Sequence, residues 1–114
     1  MVKRAQRITY DTIRRMGLEL PHVAESTSYG MPALKVKGKM FVCFREEFDS
    51  LVLKMPFEQR EELMAAQPET YWITDHYREY ECVLVRLSQV RADALSDLLR
   101  TAHRAATPAK RPRR

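Results

Sequence analysis

Three glycines and two cysteines are all that 114 residues contain of those types, and each scarcity closes off a class of chemistry. The glycines stand alone at 17, 30 and 38, so no phosphate-cradling glycine-rich loop can be assembled from them. Cys43 and Cys82 have no CxxC spacing, which leaves neither a zinc knuckle nor a dithiol redox motif. Each falls inside an alternating apolar run, where cysteine serves as a small buried apolar residue. A disulfide between them would need an oxidising compartment, which nothing else in the sequence suggests. Long apolar runs are also missing, and the start MVKRAQRITY lacks the apolar stretch of a signal peptide. The expectation is a soluble, cytoplasmic protein without membrane attachment. Catalytic signals are equally sparse. His22, His76 and His103 fall in different elements without metal-ligand spacing, and the carboxylate pairs Glu46–Glu47 and Glu61–Glu62 are sequence neighbours whose side chains diverge. No catalytic residue, metal site or cofactor is expected, and the protein reads as non-enzymatic.

What is present is an ordinary globular composition, 45% apolar and 31% charged, in a length suited to one domain with its own core. The net charge of +5 is unevenly placed: residues 56–87 carry three bases and seven acids, whereas 88–114 carry seven bases and two acids. The tail TPAKRPRR alone supplies four positive charges, which leaves residues 1–106 at about +1. The expected organisation is a domain over 1–106 followed by a disordered basic tail over 107–114.

Hydrophobic spacing orders the chain. Ala5, Ile8, Thr12 and Met16 form a stripe over 3–16, with Gly17 placed to terminate a helix whose other face holds Lys3, Arg4, Arg7, Arg14 and Arg15. Extended chain follows Pro21, with a candidate strand at Ser26–Tyr29 and a break at Gly30–Pro32. Leu34 and Val36 alternate with Lys35 and Lys37, Gly38 turns the chain, and Lys39–Phe44 returns to make a hairpin. Leu51–Met55 is the next strand. A helix at 57–66, bracketed by Pro56 and Pro68, should bury Phe57, Leu63 and Met64. Thr70–Thr74 and Cys82–Leu87 read as strands, the second with Val83, Val85 and Leu87 on the core face. A last helix over 89–105 carries the stripe Val90, Ala94, Leu95, Leu98, Leu99 and Ala102, with Ser88 as N-cap. The order implies an α+β fold: an antiparallel sheet of about five to six strands with helices packed on one face.

The segments LPHVAES, SYGMPALKVKGKMF, LVLKM, YWITDHYREYECVLVRL and LSDLL together resemble the MmcQ/YjbR family of small bacterial proteins over roughly residues 3–102. The resemblance rests most on Gly30, Pro32, Lys35, Val36, Gly38, Lys39 and Phe41, and on His76–Tyr77–Arg78 with Val83–Leu87. It implies a CyaY-like α/β sandwich and a DNA-binding role in which two β-hairpins form a double wing, with no enzyme activity or cofactor. Where the family pattern leads one to expect glycine, proline and an aromatic after His76–Arg78, this chain has Glu79, Tyr80, Glu81 and Cys82. The iron binding of frataxins goes with an acidic first helix; residues 1–18 here hold five bases and only Asp11.

Two sets of candidate residues follow. Lys35, Lys37 and Lys39 would line the rim of one hairpin and meet phosphates, or else merely shield an edge strand from pairing. His76, Tyr77 and Arg78 on a second hairpin suit a sugar-phosphate or a base edge, and Lys110, Arg111, Arg113 and Arg114 in the tail would add nonspecific grip. The expected partner is DNA, contacted weakly and with little sequence preference. The rival expectation is a protein- or small-ligand-binding module with a cleft near His22, Tyr29 and Trp72.

Overall fold

The computed structural model describes residues 8–107. Its elements run α1 (Tyr10–Leu18), β1 (Val23–Ser28), β2 (Met31–Val36), β3 (Lys39–Arg45), β4 (Ser50–Lys54), α2 (Phe57–Ala66), β5 (Tyr71–Trp72), β6 (Cys82–Arg86) and α3 (Ala92–Ala106). The six strands form one antiparallel sheet in the order β1-β2-β3-β4-β6-β5. This is the α+β architecture expected, with helices on one face.

Alternation within the strands builds two cores, one on each side of the sheet. Leu34, Val36, Leu51, Leu53, Val83 and Val85 face the helices and pack with Ile13, Leu95, Leu98, Leu99 and Ala102. On the far face Ala33, Cys43, Val52, Cys82 and Leu84 form a smaller cluster, covered in part by Met31, Met40, Phe48, Trp72 and Tyr77. No described helix covers that side. Its cover comes from the connections between β3 and β4 and between β5 and β6, each containing a single 3₁₀ turn, Glu46–Phe48 and Asp75–Tyr77. Both cysteines are free and buried in this second cluster.

Turn chemistry sets the hairpins. Tyr29 and Gly30 have φ of 53° and 81°, and Lys37 and Gly38 have 50° and 84°. Two successive left-handed residues make the tight turn whose twist matches that of the flanking strands. Between β2 and β3 the register steps from Leu34↔Val42 to Lys35↔Met40, so Phe41 is an extra residue in β3. Phe41 is buried against α3, with its ring edge-on to His103 at 5.5 Å.

Several boundaries differ from expectation for local reasons. Helix α1 starts at Tyr10, not near residue 3, because Thr9 is extended and its hydroxyl accepts the Thr12 N–H as an N-cap. Lys3, Arg4 and Arg7 lie outside the described residues. Gly17 is not the residue that follows the helix but lies within its last turn, one before Leu18, and is buried against the sheet; a Cβ there would sit 2.4 Å from Leu34 Cδ1. Met31 and Pro32 belong to β2 and are not a break. Helix α3 starts at Ala92 after Arg91, with Asp93 accepting the Ala94 N–H at 2.8 Å, so Ser88 is not its cap. In α2 the buried residue is Arg60, whereas Phe57 is exposed. The tail residues Lys110, Arg111, Arg113 and Arg114 lie outside the described residues. No described helix is long and apolar enough to cross a membrane.

Candidate functional site

Strand β2 lies between β1 and β3, so the lysine hairpin is not at a sheet edge, and protection of an edge strand is not its purpose. Nor do its three ammonium groups line one rim. Lys35 pairs with Met40 on the far face, Lys39 pairs with Val36, which faces the helices, and Lys37 occupies the turn itself. The two-residue turn separates them: it sets Lys39 opposite Val36 and Met40 opposite Lys35, and cross-strand partners share a face. Their partners are equally informative. Arg14 and Arg15 pair with Asp11, Arg45 with Glu47, Arg78 with Asp75, Arg91 with Asp93 and Arg100 with Asp97. The Arg86 guanidinium donates to the Glu69 carbonyl and lies 4.5 Å from the centre of the Trp72 ring. Among the described residues Lys35, Lys37, Lys39, Lys54 and Arg104 have no such partner.

The β5–β6 connection is held from below. Arg60 on α2 is only 4% exposed, and its guanidinium donates to the carbonyls of Tyr77, Arg78, Tyr80 and Cys82 at 2.9–3.2 Å. Four carbonyl dipoles thus surround a buried cation whose nearest carboxylate, on Glu61, is 3.8 Å away. From above, the Tyr77 hydroxyl accepts a hydrogen bond from Arg45, which also binds Glu47. Burial pushes the Tyr77 phenol up from its usual range, with the Arg45 cation acting in the opposite direction. Burial likewise pushes the Cys82 thiol up to about 11, so it is protonated and poorly nucleophilic at neutral pH.

Over the far face these parts enclose a cleft of about 380 Å³. Its floor is Met40, Val52 and Cys82, Lys54 and Glu81 are charged members of its lining, and Tyr29, His76, Tyr77 and Tyr80 supply rings. His76 stands 4.7 Å from the Tyr77 ring and 5.9 Å from that of Tyr80. Tyr29 and Tyr80 are 97% and 59% exposed, so their rings are free to cover a flat ligand.

Of the residues singled out from the sequence, Tyr29, His76 and Tyr77 come together here. Arg78 is exposed but paired with Asp75. His22 does not join them: its carbonyl accepts the Lys37 N–H at 3.4 Å, at the opposite end of β1 from Tyr29. Trp72 is half-buried and structural, its indole N–H donating to Ser50 Oγ at 3.1 Å and its ring edge-on to Phe48. The expected cleft of His22, Tyr29 and Trp72 is therefore replaced by one that keeps only Tyr29. Sequence reading passed over Tyr80, Lys54 and Arg60. Tyr80 had a visible signal, an aromatic flanked by acids where an aromatic was expected nearby; Arg60 had none, because its acceptors are a loop distant in sequence.

Comparison with known proteins supplies context. A family model described as YjbR matches residues 18–105. A crystal structure of the Deinococcus radiodurans protein DR2400, described as a DUF419 domain, is similar at 30% identity with a TM-score of 0.73, over 84% of this chain and 76% of that one. No curated protein sequence matches.

Proposed function

The chain belongs to the YjbR family, and from that premise we propose that it is a non-enzymatic nucleic-acid-binding protein that contacts phosphates through the β2–β3 hairpin. The observation that carries the reading is the contrast among its cations. The arginines named above are tied to carboxylates, carbonyls or a ring of the same molecule, whereas Lys35, Lys37 and Lys39, like Lys54 and Arg104, have no partner among the described residues, and these three cluster on one hairpin. An unpaired ammonium group on a turn has an anion-binding capacity that an internally paired guanidinium has already used. Because the three lysines diverge, they suit a curved or flexible backbone better than one straight row of phosphates, and they read no base edge.

Binding to duplex and single-stranded DNA across salt tests this, with the full chain, a chain ending at Ala106, and a Lys35/Lys37/Lys39→Ala triple variant. Three phosphate contacts give a log–log salt slope of about −2.7 on duplex DNA, which the triple variant should abolish. If the shortened chain loses all binding and the triple variant loses none, the hairpin reading is wrong. A second reading, a small-ligand module in the cytoplasm, is favoured by the cleft on the far face, whose volume is within the range of small-molecule sites.

A further inference from the structure

Two tyrosines on the far face are placed as neither folding nor turn chemistry requires. Tyr29 holds a left-handed conformation, φ 53°, where asparagine or glycine is less strained, yet its ring is 97% exposed and stabilises nothing by burial. Tyr80 is 59% exposed, although its own carbonyl is fixed by Arg60 at 2.9 Å. Both stand on the lining of the same apolar-floored cleft. Lys54 lines it too, and Lys35 is the cross-strand partner of Met40 on its floor. Strands β2 and β4 flank β3, which sets the two lysine backbones about 10 Å apart on either side of the Met40 strand, with Lys54 beside Cys82 at the floor itself.

We propose that this cleft holds one unpaired nucleotide, with the base against the tyrosine rings and the phosphate toward Lys54 and Lys35. The inference rests on the nucleic-acid reading above and adds the form of strand it prefers. A cavity of about 380 Å³ admits a base and its sugar but not a duplex, whose bases present only their edges. Stacking on exposed aromatic rings is tolerant of base identity, consistent with a site that has few fixed polar groups. Glu81, the one acid on the lining, repels phosphate from its side and accepts a hydrogen bond from an amino group on a base edge. The base therefore enters beside Glu81 and the phosphate leaves toward the lysines.

Anisotropy titrations with a labelled oligonucleotide, single-stranded and as a duplex of equal length, decide the matter at low salt. Tyr80→Ala and Tyr29→Asn should each weaken single-strand binding about tenfold, the worth of one stacked base, and leave duplex binding unchanged. Tyr80→Phe should restore the wild-type value, because the ring and not the hydroxyl stacks. Competition by a nucleoside monophosphate shows that free nucleotides fill the cleft; lack of competition with retained strand binding shows that it takes a nucleotide within a strand. If the tyrosine variants bind single strands normally, or weaken single strand and duplex equally, while the lysine triple variant weakens both, the cleft assignment fails and the hairpin reading stands. If the wild-type protein binds neither form, both fail.

Discussion

Arg60 shows what one side chain does when its partners are backbone. Its guanidinium donates to four carbonyls of the 77–82 loop, of which those of Tyr77 and Tyr80 also accept a backbone N–H within the loop, and in return they solvate a cation that is nearly sealed from water. Replacing it by methionine keeps much of the volume and removes every donor. Arg60→Met should cost about 3 kcal/mol in denaturant unfolding and speed amide exchange at Tyr80 and Cys82, while exchange in β2 and β3 is unchanged. Uniform exchange would mean that Arg60 is not what anchors the loop. Gly17 argues the same point by absence. Alanine there gains up to about 1 kcal/mol of helix propensity, but its Cβ meets the fully buried Leu34, and overpacking costs about 1 to 3 kcal/mol. Gly17→Ala should therefore destabilise, and a Gly17→Ala/Leu34→Ala double variant should lose less than the sum of the singles, because the second change makes room for the first.

Among the elements, the two tight turns link stability to function in opposite senses. Tyr29–Gly30 and Lys37–Gly38 both demand a left-handed residue at the first central position, and asparagine meets that demand better than tyrosine or lysine. Lys37→Asn should stabilise the protein by about 0.5 kcal/mol and weaken DNA binding at low salt, a divergence that chain damage cannot mimic, since damage lowers both. A loss of stability would show that Lys37 makes a packing contribution that its exposure conceals. The same hairpin marks the limit of what the sequence discloses. Its turn was legible because Gly38 interrupts an alternating run, and α2 was legible to its ends because Pro56 and Pro68 bracket it. The facing of the lysines was not, because alternation counts residues along one strand, and which residue of β2 stands opposite Lys39 is set by the two-residue turn and its pairing register. Gly17 misled for a related reason: its spacing fits a helix end, and what fixes its role is a leucine from β2. The nearly all-polar stretch from Asp75 to Glu81 reads as a loop, but its use as a cover for the far face depends on Arg60 and Arg45, from α2 and β3.

For the molecule as a whole, the buried protons set an alkaline limit. Burial raises the thiols of Cys43 and Cys82 and the phenols of Tyr10, Tyr71 and Tyr77, with Cys82 pushed from 9.0 to about 11 and Tyr10 from 10.0 to about 12. For a group whose folded value is raised, the unfolded chain releases its proton first as pH climbs, so the folded state binds more protons and stability falls with pH. That contribution is complete below pH 9.0 and is lost as pH rises through about 11 for Cys82, with Tyr10 following at about 12. On the acid side the signs reverse: hydrogen bonds from Arg14, Arg45 and Arg91 lower Asp11, Glu47 and Asp93, so their contribution is present at neutral pH and disappears as pH falls below the ordinary carboxylate range. Those carboxylates are exposed and screened, so the acid loss should be shallow and the alkaline one steep. Urea midpoints should hold level between roughly pH 6 and 8 and then drop above pH 9, with an unchanged m-value. Cys82→Ala removes one of the responsible protons and should flatten the first part of that drop. Should the midpoint of the wild-type protein stay level to pH 11, the far-face cluster admits water, and the 75–81 cover over it is open in solution.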